Sequence, residues 1–242
     1  MQQVIGTLVV AFVAALLQRL TGFGFALVAT PLLAMVMPVS QAVVLISLVA
    51  LPSGVMNWRS LRSHADLAQV RRIVLWSLPG MPIGLVAHHV LPDRGFRVVL
   101  SVAVAIAAIV TASRWTLRPH RAERADRVAG FVSGLLNTST GTNGPPLVVT
   151  LAGQGLAPDA FRATLAGVFV AMGVVTIALF GADRLITIHV LKLTAVGVLP
   201  IGPGRYVGLQ LARRISAEHF RHLIVVLLLG TAAVGIVNAV RH

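Results

Sequence analysis

Long apolar runs, cut at intervals by glycine, threonine or proline, leave this chain few folds to adopt. Two of the cuts are polar as well as flexible. Thr21-Gly22-Phe23-Gly24-Phe25 divides the run from Val4 to Leu20 from a second one, Ala26 to Met37. Asn137-Thr138-Ser139-Thr140-Gly141-Thr142-Asn143-Gly144-Pro145-Pro146 interrupts a further stretch that begins at Val128. Both carry a Thr-Gly step, Thr21-Gly22 and Thr140-Gly141. In lipid, irregular backbone persists only where protein or a water-filled cavity satisfies its N–H and C=O groups. Gly- or Pro-interrupted hydrophobic segments at matching places in two halves are the sequence mark of a transporter's binding site.

Composition supports a membrane setting. Hydrophobic residues make up 57 % of the chain and charged ones 11 %, whereas soluble domains carry about a quarter charged residues. The fold class expected is an all-α polytopic membrane protein. No Lys or Arg cluster precedes Val4 and more spans follow, so the first run reads as a retained segment rather than a cleaved signal. With no cysteine there are no disulfides, thiolate metal sites or thiol nucleophiles. The net charge of +13 is expected on loops at the cytoplasmic face, not on a nucleic-acid surface.

After the first break three spans are expected, about Gln41 to Met56, Ile73 to Val90 and Arg97 to Ser113. After the second come about Ala163 to Phe180, Val190 to Leu211 and Leu223 to Val240. Landmarks in the later spans match across the halves. Pro79-Gly80 answers to Pro203-Gly204, Gly84 to Gly208, and Phe96-Arg97 to Phe220-Arg221. Gly84 and Gly208 read as small-residue notches where helices approach closely. An internal duplication follows, with a first repeat over 1–116, a basic cytoplasmic connector over 117–127 and a second repeat over 128–242.

Loop charge sets the orientation. Arg59, Arg62, Arg71 and Arg72 lie in one loop, and Arg114, Arg118, Arg121, Arg124 and Arg127 in the connector; two spans separate them, so both can face the cytoplasm. If each break makes a hairpin, or two short crossings, the halves are inverted and Arg213, Arg214 and Arg221 also fall inside. If each is a single crossing, the halves are parallel and that cluster falls outside. The Lys and Arg balance favours the inverted arrangement by a narrow margin. The segment Val128 to Ser139 is read as a half-helix of about 18 Å, which passes the midplane of a ~30 Å core without spanning it.

The breaks, Thr21-Gly22-Phe23-Gly24-Phe25 with Pro31, and Gly130-Phe131-Val132-Ser133-Gly134 with Gly141 and Gly144-Pro145-Pro146, together with the Pro-Gly and Gly pattern of the later spans, resemble the sulfite exporter TauE/SafE family over nearly the whole chain. Phe25 and Asn143-Gly144-Pro145-Pro146 stand where several members of that family have further glycines. The resemblance implies a multi-pass permease of the bacterial inner (plasma) membrane, moving sulfite, sulfonates or related organic anions such as carboxylates. It implies no cofactor, and the expected partners are the small anion, the lipid bilayer and a second copy in a homo-oligomer.

The residues themselves fit an anion site. Unpaired N–H groups at the start of a half-helix carry about half a positive charge. Gly22, Gly24, Gly141 and Gly144 let backbone approach a ligand, and Pro145 and Pro146 suit a helix start. Thr21 and Phe23 complete the first break. Asn137, Thr138, Ser139, Thr140, Thr142 and Asn143 carry side-chain donors, unless their hydroxyls bond back to their own helix. Arg19 and Arg205 sit within apolar stretches, as anion partners or as snorkelling side chains. Asn57-Trp58-Arg59 reads as an interface anchor, and His88-His89 point in different directions on a helix, which disfavours a metal site. All seven acids fall in expected loops, leaving no buried carboxylate for a proton relay. The function expected is alternating-access transport of a small anion. A channel-like pore built on the same groups is the alternative. A membrane-embedded enzyme is the remote one, because no nucleophile–base pair or metal cluster lies at membrane depth.

Overall fold

The computed structural model describes residues 1–112 and 122–212, and every regular element among them is a helix. In order these are α1 (Gln2–Thr21), α2 (Phe25–Leu33), α3 (Val39–Leu61), a 3-10 turn (Arg62–His64), α4 (Leu67–Ser77), α5 (Gly80–Val90), α6 (Asp93–Ala112), α7 (Ala122–Ser139), α8 (Gly144–Gly153), α9 (Pro158–Ala182), α10 (Ile188–Val198) and α11 (Ile201–Ala212). The last expected span, Arg114, Arg118, Arg121, Arg213, Arg214, Phe220 and Arg221 lie outside the described residues. Among the described residues the Gln2–Arg19, Val39–His64 and Pro158–Ala182 segments are each long and apolar enough to cross a bilayer, and the bent pair α4 with α5 is so too when taken as one broken span.

Glycine and proline place the boundaries. The first helix ends on Gly22 at φ 83°, whose N–H bonds the Gln18 carbonyl, and Gly24 at φ 94° turns the chain into α2. Both values lie in the left-handed region that a Cβ disfavours. Two of the expected spans are not single helices. Ile73 to Val90 breaks at Leu78-Pro79 with a 41° bend, and Val190 to Leu211 breaks at Leu199-Pro200. Proline removes one backbone donor and its ring crowds the preceding turn. The half-helix read from Val128 is also longer than expected. It starts at Ala122, within the segment assigned to the connector, and its 18 residues extend about 27 Å.

Each polar break folds the chain back on itself. Gly6, near the start of α1, lies against Val36, just past α2. Asp126 in α7 accepts from Gln154, just past α8, at 2.8 Å. The pairs α1–α2 and α7–α8 are therefore hairpins, each opening and closing at one end of the bundle, with tips at Gly22–Gly24 and Thr140–Asn143.

The central crossing is made by α3 and α9. Trp58 packs on Gly167, Gly54 on Val170 and Leu51 on Gly173, so the two helices run antiparallel. Around them the halves exchange hairpins. Gly204 and Gly208 of α11 seat against the Phe12 and Leu16 carbonyls of α1, while Gly80 and Gly84 of α5 seat against Phe131 and Leu135 of α7. A Cβ at any of these four glycines would run into backbone, so each is a contact notch. Leu45, Leu165, Met172 and Phe180 are among the buried core, while Ile83, Val86 and Val90 of α5, Tyr206 and Val207 of α11 and Leu199 at the break before it are exposed, where lipid would cover them.

Candidate functional site

Both tips open onto one internal cavity of about 70 Å³. From the first hairpin it is lined by Gln18 and by Gly24, Phe25, Ala26 and Leu27, the opening turn of α2. The second contributes Asn137, Gly141, Thr142, Asn143 and Gly144, the turn that opens α8. Ser47, Ala50, Leu51 and Gly54 of α3 and Phe169, Val170, Gly173 and Thr176 of α9 close the sides. Since roughly 10–15 Å³ of such space admits one water, this volume suits a small ion with little hydration.

Neither α2 nor α8 has a side-chain cap at its N-terminus. A helix start leaves up to four N–H groups without an intrahelical acceptor, and burying them without a cap calls for another partner. Proline at 145 and 146 removes two of these donors in α8, so its start presents chiefly the Gly144 N–H and the preceding turn. The two starts face the same space and superpose their positive ends on it.

The polar side chains divide sharply. The hydroxyl of Ser139 donates to the Leu135 carbonyl and that of Thr140 to the Leu136 carbonyl, each within its own helix. Thr138 donates to the Met81 carbonyl at 2.7 Å, binding α7 to α5. Thr142, in contrast, lines the cavity and shares a hydrogen bond with Thr140. Asn137 lines it too, its amide paired with the Thr176 hydroxyl of α9. Thr30 of α2 faces Gly141, and its buried hydroxyl has no partner among the described residues.

Of the residues the sequence singled out, Gly24, Asn137, Gly141, Thr142, Asn143 and Gly144 line the cavity. Phe23 borders it, its ring 3.6 Å from where a Gly144 side chain would begin. Gly22, also at the tip, packs against Arg162 and does not line the cavity. Thr138, Ser139 and Thr140 are turned into helix contacts, and the side chain of Thr21 lies outside the described residues. Arg19 and Arg205 do not line the cavity. Arg205 donates to Asn57 Oδ1 at 2.6 Å and, at 3.4 Å, to the Ser53 carbonyl, tying α11 to α3. Asn57 is thus buried as an acceptor for Arg205 and is no interface anchor.

Sequence reasoning missed Gln18. The residue is 5 % exposed and lines the cavity, and its Oε1 accepts from Ser53 Oγ. The expectation about acids is corrected as well. Asp126 lies within α7, fully buried, and accepts from Arg72 at 3.0 Å, from Gln69 and from Gln154. Three donors stabilise a carboxylate in a place that primary sequence reads as a loop. His88 and His89 diverge as their adjacency predicts: His88 Nε2 donates to the Thr138 carbonyl between the rings of Phe96 and Phe180, and His89 pairs with Asp183.

Hairpins with uncapped helix starts around one small cavity, inside a bundle of apolar helices, define a multi-pass helical membrane protein. The comparison with known families is specific. The model of the sulfite exporter TauE/SafE family matches residues 7–235, and the chain belongs to that family. It is therefore a membrane transporter of the sulfite and anion exporter type, not an enzyme. No curated protein and no solved structure matches it.

Proposed function

We propose that this chain moves sulfite or a similarly small oxyanion across the bacterial inner membrane by alternating access, with the anion held between the two hairpin tips. The observation that carries this reading is the shared cavity, which the N-termini of α2 and α8 both enter without caps of their own. In the proposed architecture the chain is two inverted repeats. The antiparallel α3–α9 crossing and the exchanged hairpins, α1 with α11 and α7 with α5, support it. Rocking one half against the other about that crossing would open the site to either face in turn.

Arg59 and Arg62 at the end of α3, Arg71 and Arg72 early in α4 and Arg124 and Arg127 early in α7 lie toward one end of the bundle, which supports a cytoplasmic position for that end. The test is uptake of labelled sulfite into proteoliposomes containing the purified protein. Saturable uptake that is accelerated by unlabelled sulfite on the far side is the expected result. A flux that rises linearly with concentration and shows no counterflow would instead favour the channel reading.

A further inference from the structure

We infer that the site selects a singly charged oxyanion, so that a diprotic substrate crosses as its hydrogen-anion and carries one proton with it. The inference rests on the anion-site reading above and names the charge state which that site accepts. Among the described residues, none that lines the cavity is charged. Its positive potential comes from two helix starts of at most about half a charge each, that of α8 reduced by its two prolines, so roughly one charge at most. A monoanion is matched by that sum, whereas a dianion would leave close to one negative charge uncompensated in a space of about 70 Å³.

A second observation, independent of the helix ends, points to an oxyanion. Gln18 and Asn137 precede the two tips and approach the cavity from opposite hairpins. Each is more than nine-tenths buried, and each is paired with a hydroxyl, Gln18 with Ser53 and Asn137 with Thr176. Ser53 donates to the Gln18 carbonyl oxygen, so Nε2 has no partner among the described residues and remains for a ligand oxygen. The Thr176 hydroxyl can accept from the Asn137 amide or donate to its oxygen; the second arrangement frees the same kind of N–H donor. Two neutral carboxamides give directional hydrogen bonds without adding charge. That set suits a compact, singly charged oxyanion with oxygens on both sides.

Neighbouring ionisable groups lie behind the cavity wall. Arg19 follows Gln18 in α1, Arg162 of α9 backs Gly22, Arg205 of α11 is held by Asn57 of α3, and His88 of α5 is bonded to the Thr138 carbonyl. Of these side-chain types only histidine ordinarily changes charge within the pH range of such an experiment. The experiment must therefore separate protonation of the substrate from protonation of His88.

Sulfite and chlorate do this, because both are pyramidal three-oxygen anions. Sulfite gains and loses a proton near neutral pH, and chlorate is a monoanion throughout. Binding of each to the purified protein is measured from well below to well above the second pKa of sulfite. We expect chlorate affinity to stay flat, and apparent sulfite affinity to fall about tenfold for each pH unit above that pKa. Sulfite binding that is constant or tightens as pH rises would overturn the inference while leaving the anion site intact. A parallel fall for both ions would assign the effect to His88 and overturn it too. Failure of both ions to bind at any pH would remove the site reading itself. Gln18→Glu keeps the acceptor for Ser53 and replaces the donor by an oxygen; Asn137→Asp makes the corresponding change in the other hairpin. Each should weaken chlorate binding at least tenfold in protein that remains folded, and unchanged affinity in both would strike the carboxamides from the site.

Discussion

At the scale of single residues, the informative positions are polar groups whose partners come from distant parts of the chain. Asp126 is the clearest. Its neighbours in sequence, Arg124 and Arg127, mark a basic connector, yet its actual partners are Arg72 and Gln69 of α4 and Gln154 after α8. A buried charge stripped of its counterparts is costly, and the counterparts are equally stranded when the charge is removed. Asp126→Ala should therefore destabilise the protein by about 3–5 kcal/mol, read as the loss of unfolding free energy in a denaturant titration. Asp126→Asn, which retains an acceptor, should lose less. A loss under about 1 kcal/mol for the alanine variant would mean that water already screens this cluster as it does an exposed pair. The same distance in sequence hid Gln18, a lone amide in an apolar run, and recast Asn57 as the acceptor for Arg205. The tip residues were legible because glycine, threonine and proline declare a break locally. Which of their hydroxyls face the cavity was not, since Ser139 and Thr140 find acceptors one turn back in their own helix.

At the scale of elements, the glycine notches fix how hairpins pack. A Cβ on Gly84 would collide with the Leu135 carbonyl and the Thr138 hydroxyl, whereas one on Gly202 meets nothing within 4 Å. Both residues are helical, so the intrinsic helix preference for alanine over glycine acts alike in each. Gly84→Ala should cost at least about 1–3 kcal/mol by forcing α5 off α7, and Gly202→Ala should be neutral or mildly stabilising. Equal melting temperatures for the two variants in detergent would show that the α5–α7 contact contributes little. That Gly84 and Gly208 are close-contact notches was readable from their small-residue surroundings. The breaks at Leu78-Pro79 and Leu199-Pro200 were overlooked, because apolarity continues through them and proline is tolerated in many membrane helices.

At the scale of the whole molecule, sidedness and the anion site follow from the two hairpins. With hairpins rather than single crossings, Ser63 and Ala157 lie at one end of the bundle, joined there by the contact of Asp66 with Thr164. Pro38 and Thr187 lie at the other, where Val39 meets Asp93 and Gln3 meets His189. The chain has no cysteine, so single cysteines introduced at these positions report alone. Cysteines at 38 and 187 should react with a membrane-impermeant maleimide in intact cells, and those at 63 and 157 only after permeabilisation. Labelling of 157 with the outer pair would mean that α7–α8 crosses the membrane. The central claim is that both tips close one anion site, and sulfite binding to variants of each tip tests it most directly. Gly144→Ala adds a methyl that meets Phe23 and Phe169 only at ordinary contact distance, and Ala26→Val enlarges the wall from the other hairpin. Each should lower sulfite affinity at least tenfold, about 1.4 kcal/mol, with melting temperature unchanged, while Ala152→Val on the exposed side of α8 should not. Parental affinity in both tip variants would contradict the account and place the anion elsewhere in the fold.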